Sequence, residues 1–210
     1  MTDAVATVIQ VPGDFSALLG DCRSAALKPG VRYFHSDFST EALLAVEEGF
    51  IVVRASAPPD SRSVITCEAG AGEILLPPAP DESLSALTTA TVRLIDADDR
   101  RSLLDSPTLA AQVLEQLELA LRHKQEATAN LASTRHADRV RRRLLQLAER
   151  YGHIVRDGVR IDFPVSHALL AEMIGSSRET VTRALDELQR SGFVARDGST
   201  YRLLRSHDSV

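Results

Sequence analysis

Cysteine is scarce in this sequence: Cys22 and Cys67 are the only two in 210 residues. They allow one bridge at most, which excludes a disulfide-scaffold fold and leaves two reduced thiols as the expectation. Long apolar runs are also missing, and none approaches the roughly 18 residues a membrane helix needs. The opening stretch MTDAVATVIQVPGDF carries acid where a secretory leader carries base, so export is not expected and the chain reads as cytoplasmic. Eleven glycines and nine prolines without a period exclude a collagen-like chain, and a hydrophobic content of 44% excludes a fully disordered one. The length suits one large or two small domains.

Lysine is absent from residues 133–210, yet that segment holds fourteen arginines against ten acids, a net of +4. Residues 1–132 hold ten basic side chains against nineteen acids, a net of −9. The overall charge of −5 speaks against a nucleic-acid partner only until it is located. An acidic N-terminal part joined to a basic C-terminal part suits a sensing module attached to a DNA-binding one, or two solvated surfaces that differ by chance.

From about Ala4 to Asp96 short apolar runs alternate with turn signals. Ala42–Val46 and Phe50–Arg54 flank Glu47-Glu48-Gly49; Ser63–Cys67 leads into a turn at Glu68-Ala69-Gly70-Ala71-Gly72; Ser83–Ala86 and Thr91–Ile95 follow. This texture predicts a sandwich or barrel, with Pro77-Pro78-Ala79-Pro80-Asp81 as a loop. Asp96 to Asp99 read as strand-end and turn residues.

After Asp98 the period changes. From Ser106, a fitting N-cap, and Pro107 at the first helical position, a helix is predicted to about Leu131. Leu114, Leu117, Leu121 and Leu131 lie on a seam of three- and four-residue steps. A helix this long invites pairing with a second copy; the alternative is packing on its own barrel. A polar break at Thr134 to Asp138 precedes a helix from about Asp138 to Tyr151, whose apolar side carries Val140, Leu144, Leu145, Leu147 and Ala148. Asp157-Gly158 and Asp197-Gly198 signal two hairpins, and between them Ser166–Ile174 and Ser177–Ser191 read as short helices joined through Gly175. Helix, hairpin, helix, turn, helix, hairpin is the order of a winged helix-turn-helix.

Within Val165 to Val194, Ala171 is small enough for close helix packing and Gly175 suits a sharp turn. Ser176 and Glu179 fit a capping box around Ser177-Arg178. Val181, Leu185 and Leu188 anchor one face of the last helix, leaving Arg178, Thr180 and Arg183 where a recognition helix meets base edges. Arginine can pair with guanine O6 and N7, and a carboxylate can accept from cytosine N4.

The run Ser177-Arg178-Glu179-Thr180-Val181-Thr182-Arg183-Ala184-Leu185, with Leu188 and Gly192-Phe193-Val194, resembles the helix-turn-helix of the cyclic-AMP receptor protein/FNR (CRP/FNR) family of bacterial transcription regulators. Lys28-Pro29-Gly30 and Glu47 to Val53 resemble the opening strands of that family's cyclic-nucleotide-binding barrel. Pro107–Leu131 resembles its dimerisation helix, and Asp138-Arg139-Val140 through Leu145 the entry to its DNA-binding domain. The resemblance implies an α+β chain: a sensor barrel of jelly-roll type over 1–105, a dimerisation helix over 106–132 and a winged helix-turn-helix over 133–210.

Carried over residue by residue, the family pattern implies a homodimer on double-stranded DNA. Arg178, Glu179 and Arg183 would contact bases of a palindrome with TGTGA-like half-sites, Ser177 and Thr180 lying alongside. Glu179 serves equally as a capping residue and Arg183 as a phosphate clamp. Arg141, Arg142 and Arg143 read as phosphate contacts or as a solvated face. Activation through contacts with RNA polymerase is also implied.

The family's effector pocket uses a Gly-Glu pair for ribose and an Arg-Ser-Ala run for the cyclic phosphate. Gly72-Glu73 fits the first, but Leu84-Ser85-Ala86 places leucine where the phosphate-pairing arginine belongs. Leucine cannot neutralise a phosphate, and nothing in the sequence directs Arg93 or Arg62 inward. Cyclic AMP is therefore disfavoured and no cofactor is expected. An iron–sulfur cluster needs about four thiolates, the six histidines show no metal-ligand spacing, and neither cysteine has a basic cluster beside it to favour redox chemistry. Two regulator readings stay open: a chain already competent for DNA, and one gated by an unidentified small molecule or redox signal. No enzyme motif is present. A protein-interaction module built on the winged helix is the reading from another class.

Overall fold

The computed structural model describes residues 20, 22–38, 43–55, 63–130 and 135–205. Ala42, Arg62, Leu131 and Thr134 lie outside the described residues. The chain divides into two compact units, Ile9–Gln125 and a C-terminal one that begins at Glu126, so the division falls inside a helix.

The first unit is built from β1 (Arg23–Leu27), β2 (Arg32–Phe34), β3 (Leu43–Glu48), β4 (Phe50–Ala55), β5 (Val64–Gly70), β6 (Ile74–Leu75), β7 (Glu82–Ala86) and β8 (Ala90–Ile95). They form two antiparallel sheets, β1-β8-β3-β6 and β2-β7-β4-β5. Among the described residues, eight strands shared in this order between two facing sheets make a jelly roll. Gly49 carries the chain from the first sheet to the second between β3 and β4. Alternation along the strands fills the interior with Leu44, Val46, Ile51, Val53, Leu84, Ala86, Val92 and Leu94.

Three features depart from the sequence reading. Lys28-Pro29-Gly30 is the link between β1 and β2, Pro29 making only an isolated bridge to Ala86. The turn predicted from Glu68 begins later, because Glu68, Ala69 and Gly70 pair with Val52, Ile51 and Phe50; cross-strand pairing overrides their weak strand preference. Asp96 to Asp99 are not turn residues but the start of α1 (Ala97–Asp105). Asp96 accepts the amide protons of Asp98 and Asp99 at 2.9 and 3.0 Å, and Asp99 accepts that of Asp96 at 3.2 Å. Reciprocal capping by acids at a helix N-terminus satisfies its orphan donors and suits its dipole.

Helix α2 (Pro107–Asn130) has 24 residues and so runs about 36 Å. The Ser106 hydroxyl lies 3.5 Å from the Leu109 amide, at the edge of a capping contact. One stripe of α2, with Leu109 and Val113, joins Leu103 of α1 against Cys22, Leu43, Ala45, Ile74 and Ile95 on the outer face of the first sheet. The other stripe stays uncovered: Leu114, Leu117 and Leu121 are 58%, 36% and 57% exposed. Packing on its own barrel is thus seen for one face of the helix, and the other face is left exposed.

The second unit contains α3 (His136–Tyr151), β9 (Gly152–Val155), β10 (Gly158–Ile161), α4 (His167–Met173), α5 (Arg178–Arg190), β11 (Val194–Asp197) and β12 (Thr200–Leu204). The two predicted hairpins exist, but β10 also pairs with β12, so they merge into one sheet of order β11-β12-β10-β9. Gly198-Ser199 makes one two-residue turn; the other is Arg156-Asp157, since Gly158 is already paired with Val155. Gly158 is needed for another reason: a Cβ there would stand 1.8 Å from the Leu203 carbonyl oxygen. On α3, Val140, Leu144, Leu147 and Ala148 are buried as predicted, whereas Leu145 is exposed and Arg143 replaces it inside.

Candidate nucleic-acid interface

The helix-turn-helix is assembled by local chemistry. Ser166 caps α4, its hydroxyl accepting the Leu169 amide proton at 3.0 Å. Gly175 takes φ of 59° in the turn, a value that costs other residues steric strain. Ser177 then caps α5, accepting the Thr180 amide proton at 3.1 Å. This corrects the predicted capping box, because the helix starts one residue later than a Ser176 cap requires. Ser176 is buried and its hydroxyl faces His136 Nδ1 at 3.3 Å. Glu179 consequently sits in the first turn, where its charge suits the helix dipole.

One face of α5 is committed to packing, with Val181, Ala184, Leu185 and Leu188 buried. Arg178, Glu179 and Arg183 are exposed, and Thr180 and Ser177 are half-buried, their hydroxyls 2.8 Å apart. The five residues singled out from the sequence therefore share the N-terminal half of one helix and its cap. Ser191 and Gly192 close the helix, and the Phe193 amide returns to the Leu188 carbonyl at 3.0 Å.

The structure sorts the arginines that make this unit basic. Arg143 is 4% exposed, its Nη1 donating to Gln146 Oε1 at 3.3 Å while Nε faces the Met173 sulfur. It is a packing residue, which corrects its grouping with Arg141 and Arg142. Arg141 is exposed and its guanidinium lies over the Phe193 ring, 4.7 Å from the centroid. Arg160 and Arg202 pair with Asp197 and Asp157 at 3.4 and 2.7 Å, within the wing sheet. Arg196 reaches the Tyr201 hydroxyl at 2.8 Å. Arg178 and Arg183 are the exposed cations of the first two turns of α5.

In the barrel, the four pocket candidates are not gathered on one strand pair. Gly72 donates to the Val46 carbonyl of β3, and Glu73 accepts the Gly70 amide proton at 2.8 Å, folding back on its own turn. Leu84 and Ser85 lie on β7 in the other sheet. Leu84 is fully buried in the apolar core, paired across to Tyr33 and Val53. Ser85 points away from it and receives a hydrogen bond from Arg54, an arginine the sequence reading did not single out. Arg93 is held by Glu47 and the Cys22 carbonyl, so it is not available as a stand-in at position 84.

Burial, reinforced by Asp99 and Asp96, pushes the Cys22 thiol from 9.0 up to about 11. A thiol so protected is a poor nucleophile at neutral pH. Among the described residues no helix is long and apolar enough to cross a membrane, and no three His, Cys, Asp or Glu gather as a metal site.

Residues 138–207 match the family model of the Crp-like helix-turn-helix domain. A CRP-like cAMP-activated global transcriptional regulator of Mycobacterium tuberculosis is 28% identical over 196 residues, covering 90% of this chain and 87% of that protein. The global nitrogen regulator of Synechococcus elongatus is 34% identical over 96 residues, covering 46% of this chain and 43% of that protein. Among solved structures, a CooA mutant from Carboxydothermus hydrogenoformans superposes with a TM-score of 0.74 at 19% identity, covering 97% of this chain and 93% of that one. TTHB099 from Thermus thermophilus, a CRP-family transcriptional regulator, gives 0.68 at 24%, covering 87% and 92%. At such identities the structural likeness speaks for the fold. Together, the family model and the near-full-length relative show a Crp-like helix-turn-helix DNA-binding domain over residues 138–207, in a chain that is similar over most of its length to CRP/FNR transcription regulators.

Proposed function

We propose that the chain binds a palindromic operator as a homodimer, with α5 in the major groove and half-sites resembling TGTGA. The observation that carries this reading is the division of α5: four buried apolar residues hold the helix, and Arg178, Glu179 and Arg183 are left exposed at its capped N-terminal end. In this reading Arg178 and Arg183 pair with guanines, Glu179 accepts from a cytosine, and Ser177 and Thr180 keep the first turn in register. The uncovered leucines of α2 support the dimer. An apolar stripe along a long helix costs solvation unless a second copy covers it. The division of labour is then a barrel over 1–105, a dimerisation helix over 106–132 and a reader over 133–210.

Cyclic AMP is not the activating ligand in this reading, although the mycobacterial relative carries that activation in its name. Leu84 contributes a core side chain where a phosphate would need a guanidinium. The regulator is competent for its operator without a cyclic nucleotide, and acts as an activator through RNA polymerase. A gel-shift salt titration tests the DNA half of this reading: specific binding weakens steeply with salt and requires the inverted repeat. Adding cyclic AMP to the same binding reaction tests the other half, since an increase in operator affinity would contradict it.

A further inference from the structure

His167, the first residue of α4, sits between the α5 helix and the wing. Its Nδ1 lies 2.8 Å from the Thr182 hydroxyl on α5, and its Nε2 lies 2.9 Å from the Tyr201 hydroxyl on β12. Both outer partners are themselves engaged. The Thr182 hydroxyl donates to the Arg178 carbonyl at 2.9 Å. Arg196 Nη1 on β11 donates to the Tyr201 oxygen at 2.8 Å, and its Nε donates to the Gly198 carbonyl in the wing turn at 2.8 Å.

These ends dictate the direction of every bond between them. Thr182 has spent its proton on Arg178, so it accepts from His167, and Nδ1 carries the imidazole proton. A neutral ring then offers Nε2 as an acceptor, and Tyr201 donates to it while accepting from Arg196, which is always a donor. The result is a single chain of protons running from Arg196 of β11 to the first turn of α5, with Arg196 also donating back to the wing turn.

We propose that His167 is a positioning residue for DNA reading, linking Tyr201 and Thr182 in a one-directional hydrogen-bond chain that fixes the recognition helix to the wing. The proposal rests on the reading of α5 given above, and deepens it. The chain ends on the backbone of Arg178, the residue assigned to a base contact, so it controls where that arginine stands. Its other end holds the wing turn.

Protonation of His167 would break this order. An imidazolium donates from both nitrogens, so the Tyr201 oxygen would face two donors while its own proton lost its acceptor in a fully buried site. The surroundings oppose that state. Burial comes first, then Arg196 from β11 and Arg178 from α5, in holding the ring below its ordinary 6.5; Asp186 of α5 pulls the other way. The linkage is therefore intact above about pH 6.5 and is lost as pH falls through the ring's lowered value.

The test is a cycle of Thr182→Val, Tyr201→Phe and the double variant in the full chain, read both as Tm and as affinity for a duplex bearing two TGTGA-type half-sites in inverted repeat. Each single substitution weakens binding about threefold to tenfold. The double weakens it no further than the worse single, because a chain broken once transmits nothing. Additive losses, or no loss, overturn the proposal. The advantage of wild type over Tyr201→Phe also shrinks as pH falls below 6.5 through the ring's lowered value. Nitrogen NMR places the neutral ring's proton on Nδ1; finding it on Nε2 overturns the chain directly. A wild type that ignores the duplex while the Tm cycle stays non-additive overturns the half-site reading and leaves the chain standing.

Discussion

Ser177 and Thr180 close the N-terminus of the α5 helix on each other: the Ser177 oxygen takes the Thr180 amide proton at 3.1 Å and lies 2.8 Å from the Thr180 hydroxyl. Two residues assigned from the sequence to the DNA-facing surface are thus also what starts the helix. Ser177→Ala removes the cap and costs about 1 kcal/mol, read as a lower Cm in urea with an unchanged m-value. Ser177→Asp restores most of the stability, because a carboxylate caps as well, yet it weakens DNA binding by placing an anion beside phosphates. Equal recovery of both properties would show that the hydroxyl acts in capping alone.

Gly158 is the tightest point of the wing sheet. A methyl group there meets the Leu203 carbonyl at 1.8 Å and the Leu204 Cα at 3.2 Å, backbone atoms that cannot step aside. Gly158→Ala separates β10 from β12 and destabilises the C-terminal unit by more than about 2 kcal/mol, measured by urea unfolding. Gly198→Ala keeps that contact and strains only the turn, where φ is 61°, at about 1 kcal/mol. The order of the two losses is the prediction.

The exposed stripe of α2 is the proposed dimer surface. Leu114→Glu with Leu121→Glu places two charges on positions 58% and 57% exposed in the single chain. Light scattering should then report a monomer at concentrations where wild type is a dimer, with the far-ultraviolet spectrum unchanged. Val113→Glu behaves differently, since Val113 packs on the cluster around Leu103 and Ile95, and it destabilises the barrel itself. A double variant that remains dimeric would remove the stripe from the interface.

Cys22 ties stability to alkaline pH. Its thiol titrates near 11 in the folded chain against 9.0 when unperturbed, through burial first and then Asp99. Because the unfolded state releases its proton earlier, this contribution is complete below about pH 9 and lost as pH rises from 9 toward 11. Cys22→Ser should flatten the decline in Tm over that window. Alkylation at neutral pH should label the partly exposed Cys67 well before Cys22.

What the sequence made legible follows the range of the interactions involved. The ends of α4 and the turn at Gly198 came from caps, periods and turn residues that act within four positions, whereas the cap of α5, read at Ser176, falls at Ser177. Val181, Leu185 and Leu188 came from the helical period. The misses needed partners distant in sequence. Arg143 reads as one of three phosphate-contacting or solvated arginines until Met173 of α4 covers it. Gly158 reads as a turn residue until Leu203 crosses it, and nothing near Ser85 announces Arg54 from β4. The α1 helix is the instructive exception. Its capping acids, Asp96 and Asp99, were in plain view, but a run of aspartates also suits a strand end, and only the burial of Leu103 decides between the two. At the interface, the exposed set Arg178, Glu179 and Arg183 was legible, whereas the chain through His167 was not: its members lie on three elements.

Selection of bound duplexes from a randomised library, run in parallel with the wild type and with Arg178→Ala, tests the central claim most directly. Wild type should enrich an inverted repeat whose half-sites lie about one helical turn apart. Arg178→Ala should lose preference at one symmetric base pair and about 1–3 kcal/mol of discrimination there. Identical motifs from both proteins, or no inverted repeat from wild type, would contradict it.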